Sequence, residues 1–174
     1  MRSGIALLCA HWEGFIRSVA NYYVVYISCK KVPSKDIKKN FIALKAKKEI
    51  NKAGKSEKTS VHTKLLDYIE DICDKNFFIK YTESNRIIQT NSNLSYELFA
   101  EILNSISINN IYELKKQYID RNLLKARHEI VHGEKTELIN EDFVDTYNHV
   151  INIMESFKAQ VIEAANNELY KLAE

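Results

Sequence analysis

Seven consecutive residues, Arg127 to Gly133, place two histidines, an arginine and a carboxylate within about two helical turns. From His128 the segment spells H-E-x-x-H, in which imidazoles four residues apart converge on one metal and Glu129 would activate a bound water. From Arg127 it spells R-x4-H followed by glycine. The two patterns share His128 and His132 but give these histidines different chemistry, so the rest of the chain must choose between them.

The zinc pattern needs more than the sequence readily offers. A third ligand is required, for which Glu155 or His149 can be proposed. Enzymes of this kind also hold their substrate along an edge strand, and the chain has little β character before the motif. Because H-E-x-x-H is short and arises by chance in helices rich in glutamate, a zinc peptidase remains an alternative only.

The composition predicts one soluble domain built from long helices. The chain has 174 residues, 45% of them hydrophobic and 28% charged, with a net charge of +2. One proline and four glycines leave few places to interrupt a helix. We therefore expect a single domain over residues 1–174, and the net charge says little about partners.

The cysteines and the N-terminal region predict a cytoplasmic protein. Cys9, Cys29 and Cys73 are odd in number and outside any C-x-x-C pattern, which is typical of free thiols in a reducing compartment. The apolar run after Met1 is interrupted by His11 and Glu13 and is too short for a signal peptide or a membrane span.

Apolar residues at three- and four-residue intervals predict helices along most of the chain. The expected helices are 3–31, 35–52, 61–74, 95–106, a motif helix opening at 107–110, and 141–173. The first should bury the stripe Ile5, Leu8, Trp12, Phe15, Val19, Tyr22 and Tyr26. The last should bury Phe143, Tyr147, Val150, Met154, Phe157, Val161 and Leu172.

Local signals mark the ends of several helices. Pro33 should end the first helix, and Ser34 or Asp36 can cap the second. Ser95 should cap the fourth helix, and Gly133 should end the motif helix.

One passage has β character. Residues 77–81 and 87–89 are apolar and flank a polar turn at 83–85, so a small hairpin or an irregular connection is expected.

The motif helix should turn its histidines away from the core. Its inward stripe is spaced four, three and four residues apart: Ile119, Leu123, Ala126 and Ile130. At about 100° per residue, His128 and His132 then point to the opposite side, with Arg121 near them and Arg127 on the flank. This orientation favours contact with solvent or with a second surface, such as a partner subunit.

Lysines are concentrated in one region of the chain. Residues 30–58 contain eleven lysines and three acidic residues, a local excess of about +8. Such runs are usually solvated, but clustered lysines can also attract phosphate groups.

Two segments together resemble one protein family. Residues 10–16, Ala-His-Trp-Glu-Gly-Phe-Ile, look like the W-E-x-F signature of the RiboL-PSP/MAE-type HEPN proteins. Arg127-His128-x3-His132-Gly133 looks like the R-(polar)-x3-H-G motif of the same family, although Asn or Asp is commoner after the arginine. The whole chain resembles the small stand-alone HEPN ribonucleases of toxin–antitoxin and defence loci.

The resemblance implies an all-α bundle of about five helices, two of them long, that dimerises through its motif helices. Two R-x4-H motifs would then form one composite cleft that cuts RNA without a metal or cofactor, the 2′-OH of the substrate attacking the neighbouring phosphate. A cognate antitoxin protein is a further expected partner. HEPN domains without activity serve instead as nucleotide-binding, RNA-binding or interaction modules, and this remains the first alternative.

The resemblance also suggests a role for each residue. An imidazole at His132 could take or give a proton, and Arg127 could stabilise the charge that builds on the phosphorane. His128 could position the phosphate or act as the complementary acid or base. Glu13 could orient an imidazole, although its i, i+4 spacing to Arg17 fits a surface ion pair equally well.

Arg121 and Glu129 complete the set of candidate residues. Arg121 lies six residues before His128 and therefore leaves a second register open, and Glu129 has a catalytic role only in the zinc interpretation.

Overall fold

The computed structural model describes residues 2–82, 86–90, 93–133 and 140–172. Over these residues the protein is helical and contains no strand. Six α-helices follow one another: α1 (Arg2–Cys29), α2 (Lys39–Ala53), α3 (Thr59–Cys73), α4 (Tyr96–Ser105), α5 (Ala126–Val131) and α6 (Asn140–Asn166). A π-helical segment, Tyr118–Lys125, runs directly into α5. The predicted all-α fold with two long helices is confirmed.

Within these described ranges, no helix has the length and apolar character needed to cross a membrane.

The two long helices form the centre of the bundle. α1 packs against α6, and both contact the π-helical segment, while α2 packs against α3 and α4. The N-terminal ends of α1 and α6 approach closely, since a Cβ added at Gly4 would lie 2.9 Å from the Phe143 ring. A residue without a side chain at this position therefore lets α6 lie against α1.

One aromatic cluster joins four elements around Phe99 of α4. Its ring meets those of Trp12, Tyr112 and Phe157 at centroid distances of 5.0, 5.2 and 5.7 Å. Edge-to-face pairs of this kind add to the hydrophobic gain from burial. Because Trp12 is fully buried here, the residue after it is held at a fixed place on α1.

A second aromatic cluster lies further along α1. Tyr23 contacts Phe41 at 6.1 Å and Tyr170 at 6.5 Å, and Phe41 contacts Phe77 at 6.0 Å. This cluster joins α1, α2, the segment after α3 and the chain after α6.

The buried face of α1 differs from the predicted stripe after Trp12. Ile5, Leu8 and Trp12 are buried as expected, but the core then continues through a neighbouring row: Ile16, Ala20, Tyr23, Val24 and Ile27. Tyr22, predicted inside, is 60% exposed. Both rows have helical spacing, and packing against the other helices selects between them.

The predicted start of the second helix is wrong. Ser34–Asp36 forms a 3-10 turn and α2 begins at Lys39. Between them Ile37 is extended and buried, and it forms an isolated bridge with Lys171 near the end of the described chain. The backbone there pairs with another segment, and this prevents an earlier helix start.

The predicted end of the last helix is also wrong. α6 stops at Asn166, and Glu168 has a positive φ of 53°. The chain then folds back, so that Tyr170 is buried while Leu172 is exposed. Tyr147, predicted to be buried on α6 itself, is also exposed.

The motif helix begins later than predicted. Ser107 has a φ of 57°, and the amide oxygen of Asn110 accepts a hydrogen bond from the Tyr112 backbone N–H. Helical geometry is therefore interrupted until the 3-10 turn Glu113–Lys115. The predicted end is confirmed, because Gly133 follows α5 with a φ of 74° that favours glycine.

The passage with β character is an irregular connection in its described parts. Residues 77–82 and 86–90 form no strand, and the predicted turn at 83–85 lies outside the described residues. The side chain of Asn21 in α1 forms hydrogen bonds with this backbone that a neighbouring strand would otherwise form. Its side-chain oxygen accepts hydrogen bonds from the backbone N–H groups of Ile87 and Ile88 at 2.9 and 3.0 Å, and its amide donates to the Ile88 carbonyl at 3.1 Å.

We expect Asn21→Ala to lower the free energy of unfolding by roughly 3 kcal/mol, because polar groups of Ile88 would remain buried without partners. Equilibrium urea unfolding measures the change. Asn152→Ala removes the same amide from an exposed site on α6 and should change stability by less than about 0.5 kcal/mol. Equal stability losses in the two variants would contradict the role assigned to Asn21.

Candidate functional site

The motif helix changes geometry immediately before the motif. Tyr118–Lys125 is π-helical and Ala126–Val131 is α-helical. Hydrogen bonds of the i→i+5 type widen the first part, a feature often found at functional sites. The predicted inward stripe is nevertheless confirmed, with Ile119, Leu123 and Ala126 buried and Ile130 partly buried.

Both motif histidines are exposed at the end of this helix. The rings of His128 and His132 lie 4.3 Å apart between centroids, and the backbone N–H of His132 donates to the His128 carbonyl at 3.0 Å. Their orientation away from the core is confirmed. The two imidazoles therefore form one accessible pair at the end of the motif helix.

Arg127 lies at the boundary of two cavities. The first, which we name the Glu13 pocket, has a volume of about 440 Å³, and its wall includes Glu13, Arg17 and Arg127. The second, the His128 pocket, has a volume of about 450 Å³ and is lined by Arg127 and His128 among others. Leu124, Arg127 and Val131 line both cavities, so one face of the motif helix separates them.

Glu13 belongs to a hydrogen-bonded triad. The Oε1 atom of Glu13 accepts hydrogen bonds from an Arg17 guanidinium nitrogen at 3.1 Å and from the Thr90 hydroxyl at 2.6 Å. The same arginine nitrogen also donates to the Thr90 oxygen at 3.1 Å. The expected i, i+4 pair is present, but its side chains are only 17% and 27% exposed and face a cavity.

Cys9 of α1 lies near both Glu13 and Arg127. Burial raises the pKa of its thiol to about 12, Arg127 opposes this shift and Glu13 adds to it. The thiol donates to the carbonyl oxygen of Leu123, 3.6 Å away, in the π-helical segment. Cys9 is therefore a protonated contact between α1 and the motif helix, and charges from both sides of the Glu13 pocket reach it.

The His128 pocket is bordered by the start of α4. Ser95 accepts a hydrogen bond from the Leu98 backbone N–H at 3.2 Å, which confirms it as the cap of α4. Asp120 of the π-helical segment accepts from the Tyr96 N–H at 2.8 Å. Both Ser95 and Asp120 line this pocket, so the contacts that fix α4 to the motif helix also shape it.

The structure separates two other candidates from this group. Arg121 is exposed and lines neither pocket. Glu129 faces Lys125, whose ammonium nitrogen lies 3.7 Å from its carboxylate. Arg127 thus shares one cavity with Glu13 and the other with His128, and the ring of His132 contacts that of His128. His132, Arg121 and Glu129 line neither cavity.

The third ligand expected for zinc is not supplied by the described residues. Within the described ranges, no group of three His, Cys, Asp or Glu side chains is placed to hold a metal ion. His149 stacks on Tyr118 with centroids 3.7 Å apart and lies 3.5 Å from an Asp145 oxygen. Glu155 forms an exposed ion pair with Lys158.

Sequence reasoning missed Thr90 as part of the site. It is 77 residues from Glu13 and belongs to no motif, yet its hydroxyl is buried against that carboxylate. Only the crossing of residues 86–90 over α1 brings the two together.

Most of the chain matches the model of one known protein family. Residues 1–163 match the model of the family described as RiboL-PSP-HEPN. Neither the curated proteins nor the solved structures contain a match to this chain. The family match covers most of the 174 residues and includes α1, the motif helix and most of α6. The chain therefore belongs to the RiboL-PSP-HEPN family.

Proposed function

We propose that this protein is a metal-independent endoribonuclease whose cleft is completed by a second copy of the chain. HEPN domains include ribonucleases and nucleotide-binding modules, so family membership alone leaves the choice open. The observation that carries the proposal is the position of Arg127. It lines a cavity with His128 on one side and a cavity with Glu13 on the other.

These groups suit phosphoryl transfer from an internal nucleophile. The 2′-OH attacks the adjacent phosphorus, its proton passes to an imidazole, and the bond from phosphorus to the 5′-oxygen breaks. The leaving oxygen takes a proton from the second acid, and the products are a 2′,3′-cyclic phosphate and a 5′-OH. We assign proton transfer to His132, with His128 as phosphate ligand or second acid. Arg127 balances the negative charge that develops on the phosphorane.

Glu13 is better suited to positioning than to proton transfer. Its carboxylate already accepts from Arg17 and Thr90 at hydrogen-bond distance. The triad therefore keeps the Arg17 guanidinium at the wall of the Glu13 pocket. Two arginines, Arg17 and Arg127, consequently face one cavity, which favours a phosphate group there.

The surface beside the motif supports a dimer. Val131 lies between the two histidines in sequence, lines both cavities and is 66% exposed. Leu7 of α1 and Val144 of α6 are also exposed apolar residues, at 59% and 48%. α1 packs against both α5 and α6. A second subunit placed over Val131 would cover an exposed apolar side chain beside the histidines and bring two motifs together.

We expect the purified protein to cut single-stranded RNA in excess EDTA and to leave 2′,3′-cyclic phosphate ends. His132→Ala should lower the rate by about 100-fold or more, since a positioned acid or base contributes at least that much. Separation of labelled RNA on gels, with end-group analysis, measures both results.

His62→Ala is the matched control for that experiment, because it removes an exposed histidine from α3. Its rate should remain within about threefold of the wild type. RNA binding without cleavage by the wild type would assign the protein to the inactive HEPN modules. Zinc in the purified protein, together with no cleavage of RNA, would favour the peptidase pattern instead.

The register of the motif can be tested with arginine substitutions. Arg127→Ala should lower kcat/KM for RNA by about 100-fold or more, because a cation at the reacting phosphate is lost. Arg121→Ala removes an exposed arginine of the same helix and should leave kcat/KM within about threefold. The reverse ranking would move the site to Arg121.

The composite cleft predicts that activity depends on assembly. Val131→Glu places a charge in the proposed interface and should yield a 20.2 kDa monomer that no longer cuts RNA. Leu66→Glu alters a residue of α3 with a comparable exposure of 61%, and this variant should remain dimeric and active. Sedimentation velocity and the cleavage assay give the two readouts. A monomeric variant with full activity would refute the composite cleft.

A further inference from the structure

We propose that a basic groove on another face of the bundle binds single-stranded RNA and guides it to the cleft. The groove, which we name the lysine groove, lies between α2, α4 and residues 78–80 and 86–89, with Tyr68 of α3 at its side. This proposal rests on the proposed function for its purpose, but its binding test does not depend on cleavage.

The lysine groove is a concave and positively charged site. Its volume is about 570 Å³, and the side chains that line it include five cations: Lys45, Lys47, Lys48, Lys80 and Arg86. Among the described residues that line the groove, Glu101 carries the one carboxylate. The positive net charge of these lining side chains favours a polyanion, because charges of one sign around a concave site reinforce one another's electric field.

Three lysines of the groove have no carboxylate partner among the described residues. In the described part of the chain, Lys47, Lys48 and Lys80 take part in no ion pair, in contrast to Lys52 on the same helix as Lys47, which pairs with Glu49 at 3.6 Å. Lys45 is half-buried, and loss of solvent lowers its pKa. An anion in the groove would compensate that desolvation.

Aromatic side chains lie beside the cations. Phe78 is 60% exposed and Tyr68 is 36% exposed, and both line the groove. The floor is apolar and comes from α2, α4 and the connecting segments: Leu44, Ile79, Ile87, Ile88, Leu98 and Ile102. Accessible aromatic rings beside a row of cations are typical of proteins that bind single-stranded nucleic acid, because bases stack on the rings while cations follow the phosphates.

The groove adjoins the candidate cleft through one short segment. Gln89 lines the lysine groove, and the next residue, Thr90, donates a hydrogen bond to Glu13 of the Glu13 pocket. Asn21 fixes Ile87 and Ile88, which also line the groove, to α1. Residues 86–90 therefore contribute to both sites, and we propose that a strand lying in the groove passes over this segment to reach Arg127.

The same features favour RNA over a protein partner. An acidic peptide would satisfy the cations, but exposed aromatic rings flanking a row of lysines suit stacked bases better. Three of the eleven lysines that give residues 30–58 a local excess of about +8 lie in the groove wall: Lys45, Lys47 and Lys48 of α2.

The test is the affinity for a fluorescein-labelled oligouridylate of about 15 nucleotides, measured by fluorescence anisotropy over a range of salt. All proteins carry His132→Ala so that the probe is not cut. Lys47→Glu/Lys48→Glu should weaken binding about tenfold or more. The plot of log association constant against log salt concentration should become less steep by about 1.4, because two phosphate contacts are lost. Phe78→Ala should weaken binding about fivefold or more, through lost stacking.

The matched control is Lys35→Glu/Lys55→Glu, which makes the same change in net charge at two exposed lysines outside the groove. Its affinity should stay within about twofold of the reference. Equal losses in the two double variants would overturn the proposal, since net charge alone would then explain binding. Unchanged affinity in the groove variant would also overturn it. Polyglutamate binding that depends on Lys47 and Lys48 would then assign the groove to an acidic protein.

Cleavage separates this proposal from the proposed function. With His132 intact, Lys47→Glu/Lys48→Glu should cut a dinucleotide at the wild-type rate but a long RNA about tenfold more slowly. Equal rates on both substrates would refute the groove while leaving the ribonuclease intact. If the wild type cuts neither substrate, the ribonuclease fails, and the anisotropy experiment still decides whether the groove binds RNA.

Discussion

Residues 86–90 and 93–94 have no neighbouring strand in the described structure, so side chains of α1 must satisfy their buried polar groups. Asn21 pairs with the backbone of Ile87 and Ile88, and the indole of Trp12 donates to the Leu94 carbonyl at 3.0 Å. Between them the Thr90 hydroxyl meets Glu13. This one crossing shapes both the Glu13 pocket and a wall of the lysine groove.

The motif helix is held by contacts of a different kind. Its π-helical part is fixed by Tyr118 stacking on His149, by Asp120 at the start of α4, and by the Cys9 thiol at the Leu123 carbonyl. The α-helical part that follows carries the motif and ends in the exposed histidines. Contacts that anchor the segment before the motif, and exposed histidines at its end, suit a site that a second subunit would complete.

Charge is distributed in a way that the overall value of +2 conceals. Arginines are placed at the candidate cleft, where a fixed fork of donors can bind a phosphate. Lysines line the neighbouring groove, where their flexible charges can bind phosphates of an RNA backbone without fixing which nucleotide lies at each position. Under the two proposals above, the cleft would bind the reacting phosphate strongly and the groove would bind the rest of the strand more weakly.

The sequence by itself determined the helical fold, the two long helices, the cap at Ser95, the end at Gly133 and the outward histidines, because these follow from local spacing and backbone preference. Only the tertiary structure decided which of two apolar rows of α1 is buried, since both have helical spacing. It also decided the contact between Thr90 and Glu13 and the separation of Arg121 from the cavities. Contacts between residues distant in sequence depend on how helices cross, and local periodicity carries no information about that crossing.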